Sequence, residues 1–174
     1  PSEVETLLGD PSKAKEKFVD VLDVQVVALM NSPMTGSESQ GNTNALNSAI
    51  EYGIDLVGGC PHLEPDPKKM ISFMLGVAEE AGLGIDFHVD ETLNSEMLTL
   101  SELARQVIDT GFPYPVSASH CVSLGMQSEE TQALISRLVS DAGISVFTLP
   151  QTNLYLQGRE HQAAMPRGLT AIKA

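Results

Sequence analysis

Hydrophobic and polar positions along the chain follow two alternating rhythms. Stretches with apolar residues three and four apart are each closed by a glycine, and a short, nearly continuous apolar run follows. Four such junctions occur: Gly53 into Ile54–Cys60, Gly82 into Ile85–Val89, Gly111 into Val116–Ser119, and Gly143 into Ile144–Leu149. The glycines are 29, 29 and 32 residues apart, about the length of one helix-plus-strand unit. The first rhythm reads as amphipathic helix and the second as buried strand.

On this pattern the expected helices are Asn44–Glu51, Lys68–Ala81, Leu98–Thr110 and Glu129–Asp141, with a helix-like first segment over Pro1–Asp20. The expected strands are Leu22–Leu29, Asp55–Cys60, Ile85–Val89, Val116–Ser119 and Ser145–Leu149. Met70, Phe73, Met74 and Val77 form the core stripe of the second helix. Asn31–Gly41 and Pro61–Pro67 read as loops, and Gln151–Ala174 as a loop with a helix starting near Thr170. Five strands separated by helices predict an α/β fold, a parallel sheet with right-handed crossovers. Spacing alone leaves open a doubly wound sheet or part of a (β/α)8 barrel. A whole barrel usually needs ~250 residues, and this chain has 174.

Polar residues cluster where the strands end, which is where α/β folds collect chemistry. His88, Asp90 and Glu91 follow Phe87, and His120 follows Ser119. A neutral imidazole there suits Zn²⁺ or Fe²⁺, and a carboxylate just past the strand suits a proton shuttle. On an ideal strand His88 and Asp90 share a side. If the two strands are neighbours, about 4.8 Å apart, His88 and His120 can face a common centre. His62 and Glu64 form a third cluster, placed to contact substrate or to orient metal ligands. Asn153, Gln157 and Arg159, after the last strand, can hydrogen-bond a planar polar ligand. Cys121 has no base-and-orienter pair beside it in the sequence, and His161 is given no role.

Charge narrows the partners. A formal charge of −13 argues against nucleic acid and anionic membranes, which attract clustered Lys and Arg. No apolar run approaches the ~20 residues of a membrane span. Two cysteines, Cys60 and Cys121, without a secretory signal segment lead to the expectation of reduced thiols in a cytoplasmic protein.

Four strings in order resemble the amidohydrolase superfamily, in its cytosine deaminase-like branch. They are Val57-Gly58-Gly59-Cys60-Pro61-His62-Leu63-Glu64, His88-Val89-Asp90-Glu91, Ala118-Ser119-His120, and Asn153-Leu154-Tyr155-Leu156-Gln157-Gly158-Arg159 with Pro166-Arg167-Gly168-Leu169-Thr170. The resemblance implies a partial TIM-type barrel of strands three to seven over residues 1–174, an internal piece of a longer protein. It implies one divalent metal, Zn or Fe, held by His88. It gives Glu91 the proton shuttle and His120 the polarisation of substrate or water. Asn31, His62, Asn153 and Gln157 are then the expected substrate-binding residues. The implied reaction is hydrolytic: water attacks an sp² carbon of a cyclic amidine or amide, and ammonia or an amine leaves. The family's His-x-His at the first strand and its aspartate after the eighth have no counterpart here, so the isolated chain is expected to be inactive. Asn31 stands where cytosine deaminases carry glutamine, which points to a heterocyclic substrate other than cytosine. The competing reading is a non-catalytic α/β module that binds a small polar ligand through Asn153, Gln157 and Arg159. Exposed sheet edges lead to the expectation of a homo-oligomer.

Overall fold

A computed structural model describes residues 11–157, 159 and 168–173. In chain order the elements are α1 (Pro11–Phe18), β1 (Val27–Leu29), α2 (Gln40–Tyr52), β2 (Leu56–Gly59), a 3-10 turn (Pro61–Leu63), α3 (Pro67–Ala81), β3 (Gly84–Val89), α4 (Thr99–Thr110), β4 (Val116–His120), α5 (Val122–Gly125), α6 (Glu129–Asp141), β5 (Ser145–Phe147) and α7 (Pro150–Leu156). All four glycines that punctuate the sequence have positive φ, between 64° and 91°. That left-handed corner favours glycine and ends each helix cleanly.

The five strands form one parallel sheet in the order β1-β2-β3-β4-β5. A doubly wound sheet reverses its strand order at a switch point. Here each strand lies beside the next in sequence, as in a barrel wall. The open alternative is thereby decided: the fold is an open, partial (β/α)8-type barrel.

The two faces of the sheet differ. Val57, Ile85, Phe87, Val89, Val116 and Ala118 are buried beneath the helices, against Met70, Met74, Leu100, Leu103, Val107, Ile135 and Val139. The expected methionine stripe is therefore core: Met70 and Met74 are buried, with Phe73 and Val77 packed beside them. The opposite face lines an open cleft of about 710 Å³ with Val27, Leu56, Asp86, His88, Ser117 and Phe147. Register aligns Leu29, Gly58, Asp86 and Ser117 in one row, and His88 with Ser119 in the next.

Several boundaries move. β1 is only Val27–Leu29, not the whole of Leu22–Leu29. Ahead of it the backbone is held by a side chain, because the Val26 amide donates to Asp55, which also pairs with Lys15 of α1. α2 starts at Gln40, four residues before the expected start, and β5 ends at Phe147. The expected loop after Leu149 is in fact α7, opened by Pro150 at its first position. Thr170 starts no helix among the described residues. Pro1–Asp10, His161 and the Pro166-Arg167 pair lie outside the described residues.

Candidate active site

The site is built where β3 and β4 leave the sheet. β3 ends at Val89, whose carbonyl accepts the Cys121 amide at 2.9 Å. Asp90 then turns with φ 51°. Its carbonyl accepts the Val122 and Ser123 amides at 3.1 and 3.2 Å, so one strand's corner caps the short helix that follows its neighbour. Its carboxylate accepts the Thr99 hydroxyl and the Thr99 and Leu100 amides, at the start of α4. Negative charge is favoured at a helix N-terminus, yet burial prevails and holds the Asp90 pKa above the usual carboxylate range. Asp90 therefore does not share His88's side as an ideal strand would place it. The left-handed corner swings its carboxylate to α4.

This corner leaves Glu91 beside β4. Glu91 Oε1 lies 3.4 Å from His120 Nδ1 and makes no hydrogen bond, although it is buried. His120 and Cys121 both have positive φ, 73° and 45°. Left-handed backbone at residues other than glycine costs about 1–3 kcal/mol each and gathers at functional sites. The corner is tied down by Thr170, whose hydroxyl donates to the His120 carbonyl. His88 meets His120 edge to face, with ring centroids 4.9 Å apart. Ligand atoms of His88, Glu91 and His120 all lie within 4.8 Å of one another. Two imidazoles and a carboxylate are a donor set that Zn²⁺ or Fe²⁺ accepts, so these residues fit a divalent metal.

The other candidates fare unequally. Asn153 is fully buried, with Oδ1 2.8 Å from His120 Nδ1 and Nδ2 without a partner. Gln157, one helical turn on, is buried with neither amide atom hydrogen-bonded. His62 is half-buried on the 3-10 turn, with Nδ1 unpaired. Burial lowers its pKa, against the pull of the Asp90 charge and a hydrogen bond to the His88 backbone, so the neutral ring is favoured. Glu64 is committed elsewhere: both its oxygens accept the Met34 amide, at 3.0 and 3.1 Å, and so hold the loop after β1. Asn31 is exposed two residues beyond β1, and no hydrogen bond among the described residues joins it to the histidines. Arg159 is exposed, with its guanidinium 4.2 Å from the centre of the Tyr155 ring, a surface stacking rather than a site contact. Burial pushes the Cys121 thiol up to about 12, and burial together with the Glu91 and Glu64 charges raises Cys60. Neither thiol is primed as a nucleophile.

Three contributors were given no site role by the sequence: Asp90 as a double cap, Ser123, whose hydroxyl donates to the Thr92 carbonyl, and Thr170. Thr170 stands 50 residues from His120, and only the closing of the Gly168–Thr170 segment onto α5 brings them together. That closing needs a glycine at position 125, where any side chain would strike the Leu169 carbonyl.

No family model matches the chain. It is 36% identical to a pterin deaminase of Rhizobium rhizogenes over 163 residues, which cover 92% of this chain and 37% of that protein. It is 26% identical over 139 residues to the N-isopropylammelide isopropyl amidohydrolase of Pseudomonas sp. (strain ADP), covering 78% of this chain and 34% of that one. A crystal structure of 5-methylcytosine deaminase from Klebsiella pneumoniae, liganded with phosphonocytosine, superposes with a TM-score of 0.82 at 28% identity. The match covers 97% of this chain and 42% of that chain. These likenesses support reading the chain as a segment of the amidohydrolase superfamily. Its likeness is to the cytosine deaminase-like branch, and it spans about two fifths of the length of these relatives. This amidohydrolase barrel segment has, among the described residues, no helix long and apolar enough to cross a membrane.

Proposed function

We propose that this chain carries part of the catalytic apparatus of a metal-dependent hydrolase, one that removes ammonia or an amine from an sp² carbon of a heterocyclic amidine or amide. The convergence of His88, Glu91 and His120 at the carboxyl ends of β3 and β4 carries the proposal. The likeness to a pterin deaminase makes a pterin the first substrate to try, ahead of cytosine.

His88 would hold one divalent ion, Zn or Fe. Bound there, the ion would act as a Lewis acid and make water nucleophilic near neutral pH. Glu91 carries protons to the leaving nitrogen, because its Oε1 is buried, unpaired and beside His120. His120 polarises the group under attack. The unpaired amide atoms of Asn153 and Gln157 and the neutral His62 are the groups left to bind a ligand's polar edge, since buried polar atoms demand partners. Asn31, exposed on the loop after β1, is a further substrate contact in this reading. A homo-oligomer and a cytoplasmic location complete the proposed reading.

The test is metal content after incubation with excess Zn²⁺ or Fe²⁺ and gel filtration. About one ion per chain, lost in His88→Ala, is expected. No retained ion with either metal in the full-length protein as well as in this chain would overturn the site. Ammonia release from pterins, cytosine and N-alkylated ammelide analogues then ranks substrates. Ligand binding that survives a chelator would favour the non-catalytic reading instead.

A further inference from the structure

The reading of Asn153 as a substrate contact accounts for only half of its amide. Oδ1 already faces His120 Nδ1 at 2.8 Å, in a fully buried position. Glu91 Oε1 faces the same ring nitrogen at 3.4 Å. Two oxygens thus converge on one nitrogen. A carboxylate oxygen only accepts, and a neutral imidazole donates from one nitrogen and accepts at the other. With the proton on Nδ1, the Asn153 oxygen meets a donor, and the Glu91 carboxylate lies beside that N–H as a favourable charge without a hydrogen bond of its own. The reverse arrangement, with the amide NH₂ donating to a bare Nδ1, would set that nitrogen's lone pair against Glu91 Oε1.

We propose that Asn153 is a positioning residue that locks His120 in its Nδ1–H tautomer, leaving Nε2 as the ring's single lone pair. The geometry supports this on three sides. Asn153 holds the ring nitrogen, Thr170 holds the His120 carbonyl, and the His88 ring lies against the imidazole. Fixing a tautomer through the far ring nitrogen is how surrounding groups set the reactivity of an imidazole. The bare Nε2 is then the atom that takes a proton from water or substrate, or joins a metal. The chemical consequence rests on the proposed hydrolytic site, whereas the tautomer itself does not. Asn153 Nδ2, unpaired and buried, stays free for a ligand.

The experiment is long-range ¹H–¹⁵N correlation NMR on the ¹⁵N-histidine-labelled chain at about pH 8, where unpaired histidine is neutral, with His120 assigned through His120→Gln. The expected result is a protonated Nδ1 and an unprotonated Nε2 at His120. Asn153→Asp keeps that pattern, because its oxygen still accepts, and Asn153→Leu shifts it towards Nε2–H. A wild-type His120 protonated on Nε2 overturns the proposal. So does an unchanged tautomer in Asn153→Leu; if that variant fails to fold, the wild-type spectrum and Asn153→Asp decide. In steady-state kinetics of the full-length enzyme, Asn153→Leu lowers kcat by about 10–100-fold, beyond any rise in KM from the lost Nδ2 contact. A raised KM with intact kcat would return Asn153 to substrate contact. The expected tautomer together with a full-length protein that hydrolyses nothing would sink the proposed function and leave this inference standing.

Discussion

The two faces of the sheet carry opposite duties. On the helix side, Phe87 and Val89 are fully buried in a dry, close-packed core. On the other side, Leu29 and Phe147 are 49% and 55% exposed, and Asp86, His88, Ser117 and Ser119 face a cleft. Parallel sheets are usually covered on both faces; among the described residues, helices cover one face and the other lines the cleft. Stability is therefore concentrated under the helices, and the chemistry lies on the cleft side and along the carboxyl rim.

The sharpest way to break that contrast is to truncate one aromatic on each face. Phe87→Ala should cost about 3–5 kcal/mol in urea unfolding, and Phe147→Ala should stay within about 0.5 kcal/mol. Equal losses would mean that the open face also carries the fold. Glu91→Gln comes next: in the full-length enzyme turnover should fall by about 10²–10⁴-fold, with the urea midpoint nearly unmoved. Full turnover in that variant would remove the shuttle role.

Asp90→Asn probes the seam between fold and site. Its carboxylate serves three donors at the start of α4, and an amide keeps only one acceptor oxygen. A loss of about 1–3 kcal/mol is expected. Faster amide exchange at Thr99 and Leu100 would accompany it, and unchanged exchange there would dismiss the cap.

The smallest effect is electrostatic and lies just before β2, at the opposite end of that strand from the carboxyl rim. Burial pushes the Asp55 pKa up, but the Lys15 hydrogen bond, the Val26 amide and the Lys15 charge together hold it below the ordinary 3.8. As pH falls, the unfolded chain takes up this proton first. The stabilisation is thus complete above 3.8 and is lost as pH drops through the lower folded value. The stability gap between wild type and Asp55→Asn should close in acid, and a gap independent of pH would refute the pairing.

Much of this was legible in the residues. The four glycines announced left-handed helix ends, and all four have them. The strand ends at His88 and His120 announced a shared centre, and register pairs His88 with Ser119 and Val89 with His120. α7 was missed, because Pro150-Gln151-Thr152-Asn153 has the composition of a loop and its helix owes more to docking than to propensity. Local composition does not reveal that the Arg159 guanidinium stacks on the Tyr155 ring.

Local chemistry, then, determined the alternation of helix and strand, the corners, and which side chains stand at the strand ends, because glycine, β-branched runs and apolar period act over a few residues. The tertiary structure alone decided the sequential strand order that makes a barrel wall rather than a doubly wound sheet. It also decided the meeting of Asn153, Glu91 and Thr170 around His120. Those partners stand 29 to 50 residues from His120, and no local preference encodes which distant backbone will close against which.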